Sequence, residues 1–195
     1  MPILGVIASS IYKSSFTPTG SYDALAVYTV PSGGASSITF AGIPQNGYQH
    51  LQIRGIARTS LAAAGMASFI LQFNSDTSTN YIYHRMWGNS NTANAGAGST
   101  NDTSILAGIA PADQNITNAF GASIIDVLDY ASLSKNKTIR VLTGADDNNV
   151  NTAGYIGIHS GLWFKTPEAI TSIKLQPGSG NWNQYSQFAL YGIRG

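Results

Sequence analysis

The sequence predicts an all-β fold, a jelly-roll-like antiparallel β-sandwich with an extended N-terminal arm, and three observations lead there. Apolar residues recur at a period of two in run after run, the mark of strands with one buried face. Between the runs stand turn-forming clusters: "PSGG" at Pro31–Gly34, "PQNG" at Pro44–Gly47, "DDNN" at Asp146–Asn149 and "PGSG" at Pro177–Gly180. The polar residues are mostly Ser, Thr, Asn, Gln and Gly, which suit turns and sheet surfaces and disfavour helix interiors. With 195 residues and no break in composition, one domain is expected over residues 21–195, preceded by an arm over residues 1–20.

The arm opens with "MPILGVIASSI", whose apolar Ile3, Leu4, Val6 and Ile7 could add a strand to a sheet edge on a partner. It has no basic leader and is too short to span a bilayer. "SSITF" then pairs Ile38 with Phe40 on one face. "HLQIRGIAR" sets Leu51 and Ile53 against His50, Gln52 and Arg54. "SFILQFN" sets Phe69, Leu71 and Phe73 against Ser68, Ile70, Gln72 and Asn74. "GNSNTANAGAGSTND", Gly88 to Asp102, has no period and no large apolar side chain, and reads as a long exposed loop. "ASIIDVLDY" carries Ile125 and Val127 on one face and Ile124 and Leu128 on the other, as in a strand covered on both sides. "KTIRVL" presents Ile139 and Val141; "GYIGIHSGLWF" groups Ile156, Ile158 and Leu162; "TSIKLQ" presents Ile173 and Leu175. "QFALYGIRG" places Phe188 and Leu190 in the core of an interior or paired strand, with Tyr191 and Ile193 on the opposite face as candidate subunit contacts. No stretch sustains a helical period; "SLAAAGMA" and "YASLSKN" offer a turn at most.

The same residues exclude much chemistry. The chain has no Cys, so disulfides, thiol nucleophiles and thiolate metal sites are ruled out. Only 10% of residues are charged, against about 25% in an average protein. The net charge is +1 with basic residues scattered singly, so neither a nucleic-acid nor a membrane partner is expected. So low a charge suits a protein whose surfaces are covered by partners. His50, His84 and His159 each fall in a strand without clustered carboxylates, and no HExxH or GxSxG motif occurs. "GADDNNVN" offers Asp146, Asp147, Asn148 and Asn149 as oxygen ligands for calcium, yet it lacks EF-hand spacing and reads as an Asx-rich hairpin loop. "NAGAGST" lacks the Lys of a phosphate-binding loop. Asp126 and Asp129 fall on opposite faces of a strand, and Glu168 is the only Glu, so no acid/base pair is evident. Catalytic residues, metal ligands and cofactors are therefore expected to be none. For sugar stacking, Trp182 in "SGNWNQY" and nearby Tyr185 are the candidates, with packing over the sandwich end as the favoured role of Trp182.

Several stretches together carry a family resemblance. They are "MPILGVIASSI", "YDALAVYTVPSGGASSITFAGIP", "YQHLQIRGIAR", "FNSDTSTNYIYHRMWGN", "FGASIIDVLDYAS", "KNKTIRVLTG", "SGLWF" with "AITSIKLQP", and "YSQFALYGIRG". As a set they resemble a group of tailed-bacteriophage virion structural proteins, of the decoration or appendage type. The resemblance implies a non-enzymatic protein on the capsid or tail surface of a virion, with major capsid or tail proteins as partners. Shell symmetry adds a homo-oligomer, with a trimer as the first expectation. The leading expectation is a capsid decoration or cement protein docked through its arm. The alternative is a tail-fibre or appendage module that binds a host surface glycan through Trp182 and Tyr185.

Overall fold

The computed structural model describes residues 21–62, 64–89, 91–146, 154–165 and 167–195. The arm residues Ile3, Leu4, Val6 and Ile7 lie outside the described residues, as do Asp147, Asn148 and Asn149. The chain is all-β, with two antiparallel sheets packed as a sandwich. Its strands are β1 (Tyr22–Thr29), β2 (Ile38–Ala41), β3 (His50–Ala57), β4 (Met66–Phe73), β5 (Tyr81–Asn89), β6 (Thr92–Ala97), β7 (Ile105–Pro111), β8 (Gly121–Leu128), β9 (Lys137–Ala145), β10 (Tyr155–Trp163), β11 (Ser172–Pro177) and β12 (Gln187–Ile193). Eight form one sheet in the order β1-β12-β3-β8-β9-β10-β5-β6, and four form the other in the order β2-β11-β4-β7.

The pairing is nested. β1 pairs with β12, β2 with β11, β3 with β8 and β4 with β7, so the chain meets itself from the outside inwards. The hairpins β5–β6 and β9–β10 stand outside this nest and widen only the larger sheet.

Alternation selects the core residues strand by strand. Ile38 and Phe40, Leu51 and Ile53, Phe69, Leu71 and Phe73, Ile125 and Val127, Ile139 and Val141, Ile173 and Leu175, and Phe188 and Leu190 are all buried between the sheets. Each such side chain contributes about 1.5–3 kcal/mol when fully buried. A group of rings closes one end of the layer: Trp182 lies 5.3 Å from Phe69 and 5.0 Å from Phe188, centroid to centroid. Gly55, cross-strand from Phe188, supplies the room, since a Cβ there would sit 2.7 Å from that ring.

Two sequence expectations change. The stretch Gly88–Asp102 is no long loop: β6 runs through it, paired with β5 from His84↔Ala97 to Asn89↔Thr92. Its small and polar side chains gave no alternation because neither face is deeply buried. In β10 the period is right and the face is reversed. Ile156 and Ile158 are 61% and 57% exposed, while Gly157, His159, Gly161 and Trp163 face inwards. The inner face of β10 is crowded by its neighbours: a Cβ at Gly161 would lie 2.5 Å from Ile105 of β7.

Two buried ionisable side chains, His159 and Lys137, are hydrogen-bonded. The Nδ1–H of His159 donates to the Leu106 carbonyl at 3.1 Å, which leaves Nε2 to accept from the Tyr155 hydroxyl at 3.2 Å. Burial holds the pKa of this imidazole below the usual range. Lys137 donates its ammonium to the carbonyls of Ser132 and Lys135, closing the β8–β9 turn.

Asp76 accepts from Trp163 Nε1 at 2.8 Å, Asn80 Nδ2 at 2.9 Å and the Ser78 amide at 3.0 Å. Burial opposes its charge, but these donors outweigh burial and hold its pKa at about 2. A carboxylate depressed in the folded state stabilises above its unfolded pKa and loses that contribution as pH falls through the folded one. Asp76 should therefore contribute about 2 kcal/mol at neutral pH, and the loss should run from about pH 4 down to pH 2. In urea titrations over that range, wild type should lose about 2 kcal/mol more than Asp76→Asn. Parallel pH profiles would show that Asp76 has no such role.

Candidate functional site

The outer faces of the two sheets differ in kind. On the four-stranded sheet, the outward residues of β2 and β11 are Thr39, Ala41, Ser172, Lys174 and Gln176, and β4 adds Ser68, Ile70 and Gln72. That is the ordinary polar exterior of an antiparallel sandwich. On the eight-stranded sheet the outward residues are largely aliphatic.

Register converts these side chains into rows. One row crosses all eight strands at a single level: Val27, Ala189, Arg54, Ile124, Leu142, Ile158, Met86 and Ala95, each the cross-strand partner of the next. Met86 is 69% exposed and Leu142 49%. A second row, one level along, reads Gln187, Ile56, Ala122, Gly144, Ile156, Gly88 and Ala93. A third reads Tyr191, Gln52, Asp126, Arg140, Ser160, His84 and Ala97. Six large aliphatic side chains (Ile56, Met86, Ile124, Leu142, Ile156 and Ile158) thus share one face, all of them exposed. A contiguous apolar surface of this kind marks a site of association.

The one carboxylate in these rows, Asp126, is neutralised within the chain, while Arg54 is held by a neutral amide and an aromatic ring. Asp126 accepts from Arg140 Nη2 at 2.7 Å and from Gln52 Nε2 at 2.8 Å. Gln52 in turn accepts from Arg54 Nε at 2.8 Å, and the Arg54 guanidinium lies 5.5 Å from the centre of the Tyr191 ring. A partner covering the face need supply no counter-charge for Asp126. The relief is uneven, with a groove of about 800 Å³ along His84, Met86, Ala97, Leu128, Arg140 and Ile158.

The other sequence candidates fall elsewhere. Tyr191 and Ile193 are half-buried on the outer side of β12, and only Tyr191 joins the rows above. Trp182 has no exposed surface, and its Nε1 points to the Leu175 carbonyl, so it presents no face to a sugar. This corrects its place as a glycan contact and agrees with its favoured packing role. Tyr185 is 68% exposed on the turn before β12, apart from that ring group. Asp126 lies on β8 and Asp129 on the following turn, where Lys135 and Gln49 hydrogen-bond its carboxylate and hold its pKa below the usual range. Glu168 accepts from Asn74 and Lys165. Among the described residues, no three His, Cys, Asp or Glu side chains group as metal ligands, and no helix is long and apolar enough to cross a membrane.

The expectation that β8 is covered on both faces is not met within the chain: Ile125 and Val127 are buried, while Ile124 and Leu128 are exposed on its outer face. The contributions of Leu142, Ile56 and Met86 were missed, since each belongs to the face only through long-range register. No protein-family model matches the chain, and no curated protein or solved structure matches it.

Proposed function

We propose that this chain is a non-enzymatic structural protein of a tailed-bacteriophage virion, a capsid decoration or cement subunit docked through residues near its N-terminus. The observation that carries the proposal is the aliphatic outer face of the large sheet, with its carboxylate Asp126 already paired to Arg140. Such a face suits a subunit that works inside an assembly. The sequence resemblance set out above supplies the setting.

The strand order supports a finer reading of the fold as a jelly roll. Setting aside the two hairpins β5–β6 and β9–β10, the remaining strands form two sheets in the orders β1-β12-β3-β8 and β2-β11-β4-β7. That is the eight-stranded arrangement of two interlocked Greek keys. The hairpins are insertions that extend one sheet, and they bring Leu142, Ile156, Ile158 and Met86 to the aliphatic face.

The anchoring role has a direct test. The described core runs from Val30 to Leu190, so deleting residues 1–10 should leave its cooperative unfolding unchanged. The truncated chain should, however, fail to occupy phage particles when supplied in place of the full chain. Normal occupancy by electron microscopy or particle-bound protein assay would refute docking through the arm.

A further inference from the structure

We propose that the outer face of the eight-stranded sheet binds a second copy of this chain, face to face, about a two-fold axis that runs parallel to the strands midway between β9 and β10. The inference rests on reading that face as an assembly surface, and adds the identity of the occupant and the register.

The axis follows from the pattern of side chains. Such a two-fold sets β9 of one copy over β10 of the other, β8 over β5, and β3 over β6. In the first row, Leu142 then meets Ile158 and Ile124 meets Met86, so the four largest aliphatic residues at that level cover one another. In the second row, Ile156 meets Gly144, Ile56 meets Ala93, and Ala122 meets Gly88, so each protruding residue faces a small one. In the third row, Asp126 meets His84 and Arg140 meets Ser160, with no like charges opposed. Because the operation is two-fold, every match occurs twice.

Size and charge agree with this occupant. Six strands at about 4.8 Å spacing and three side-chain levels at about 6.6 Å, with a fourth level of Leu128, Thr138, Leu162 and Ile82 on the four central strands, cover roughly 700 Å² per copy. A stable protein–protein interface needs about 800 Å² from each partner. The internal pairing of Asp126 with Arg140 leaves no net charge at the centre of the face for a second copy to repel. Aligned sheets cross at about 30°, which displaces the outer strands most and leaves the residues beside the axis, Leu142 and Ile158, in register. A two-fold pair takes the place of the trimer that shell symmetry alone suggested.

Analytical ultracentrifugation of the full chain tests the pairing. Wild type should sediment as a dimer at micromolar concentration. Leu142→Lys and Ile158→Lys, both at exposed positions, should weaken the dimer by about a hundredfold while far-UV circular dichroism stays unchanged. Gly144→Val separates this register from mere stickiness. A Cβ there meets only the Tyr155 carbonyl at an ordinary 3.5 Å, so the chain should fold, yet the branch would fill the seat of Ile156 and weaken the dimer. A monomeric wild type, or a dimer indifferent to Leu142→Lys, would overturn the interface. Equal or tighter association of Gly144→Val would overturn the proposed axis. Each of these results is independent of particle occupancy after arm truncation, so failure of the dimer and failure of the virion role are read separately.

Discussion

A chain lacking residues Phe188–Gly195 is expected not to fold. β12 is bonded on both sides, to β1 from Tyr22↔Ile193 to Thr29↔Gln187 and to β3 from His50↔Ile193 to Ile56↔Gln187. Its removal detaches β1 and leaves β3 as a raw edge over the centre of the sandwich. It also empties the sites of Phe188 and Leu190, each fully or nearly fully buried. Truncating side chains of this kind costs about 3–5 kcal/mol for Phe and 2–5 kcal/mol for Leu. Together these match much of the roughly 5–15 kcal/mol by which a domain is stable. The truncated chain should show no near-ultraviolet circular dichroism and no cooperative thermal transition. A soluble product with a sharp melt would contradict the role of β12 as an interior strand.

Trp182→Ala should destabilise the fold by about 3–5 kcal/mol, among the largest losses from a single substitution. The indole fills the end of the sandwich against Phe69 and Phe188, and no part of it reaches solvent. Its backbone ties two loops together: the Trp182 amide donates to Ala35 at 2.8 Å, and the Ala35 amide donates back at 3.1 Å. Those bonds survive the substitution, so the loss falls on the rings and the cavity. For a chain of this size the melting temperature should drop by about 6–20 °C. Calorimetry and urea midpoints would measure it, and a shift under about 2 °C would mean that the cavity collapses or the ring is not the keystone of that end. Tyr185→Ala, at an exposed turn position, should change stability by about 0.5 kcal/mol or less.

Alternation was enough to name the inner residues of β2, β3, β4, β9, β11 and β12, because each of those strands has one dry face and one wet one. It failed where that contrast is missing. β6, built from Thr, Ala, Asn and Gly, buries neither face, while β7 from Ile105 to Pro111 is buried at almost every position. In β10 the large aliphatic residues lie outside because the inner space is already occupied by Ile105 and Ile139, and only Gly161 clears them. The candidate surface shares that difficulty. Ile156 and Ile158 could be placed together from spacing alone, but their joining with Leu142, Ile124 and Met86 depends on pairings between distant parts of the chain. The paired charges of Asp126, Arg140 and Gln52 likewise exist only once β3, β8 and β9 are side by side.

The nested pairing also fixes when the protein can exist. Asp23 in β1 meets Arg194 beyond β12, partners separated by 171 residues. During synthesis no fragment that lacks β12 can close the larger sheet, because β12 fills the gap between β1 and β3. Topologies dominated by such distant pairings fold slowly, on the order of milliseconds to seconds, and hold open edges while they wait. Until β12 is in place, β1 lacks its partner and β3 keeps one open edge, its other edge being paired with β8.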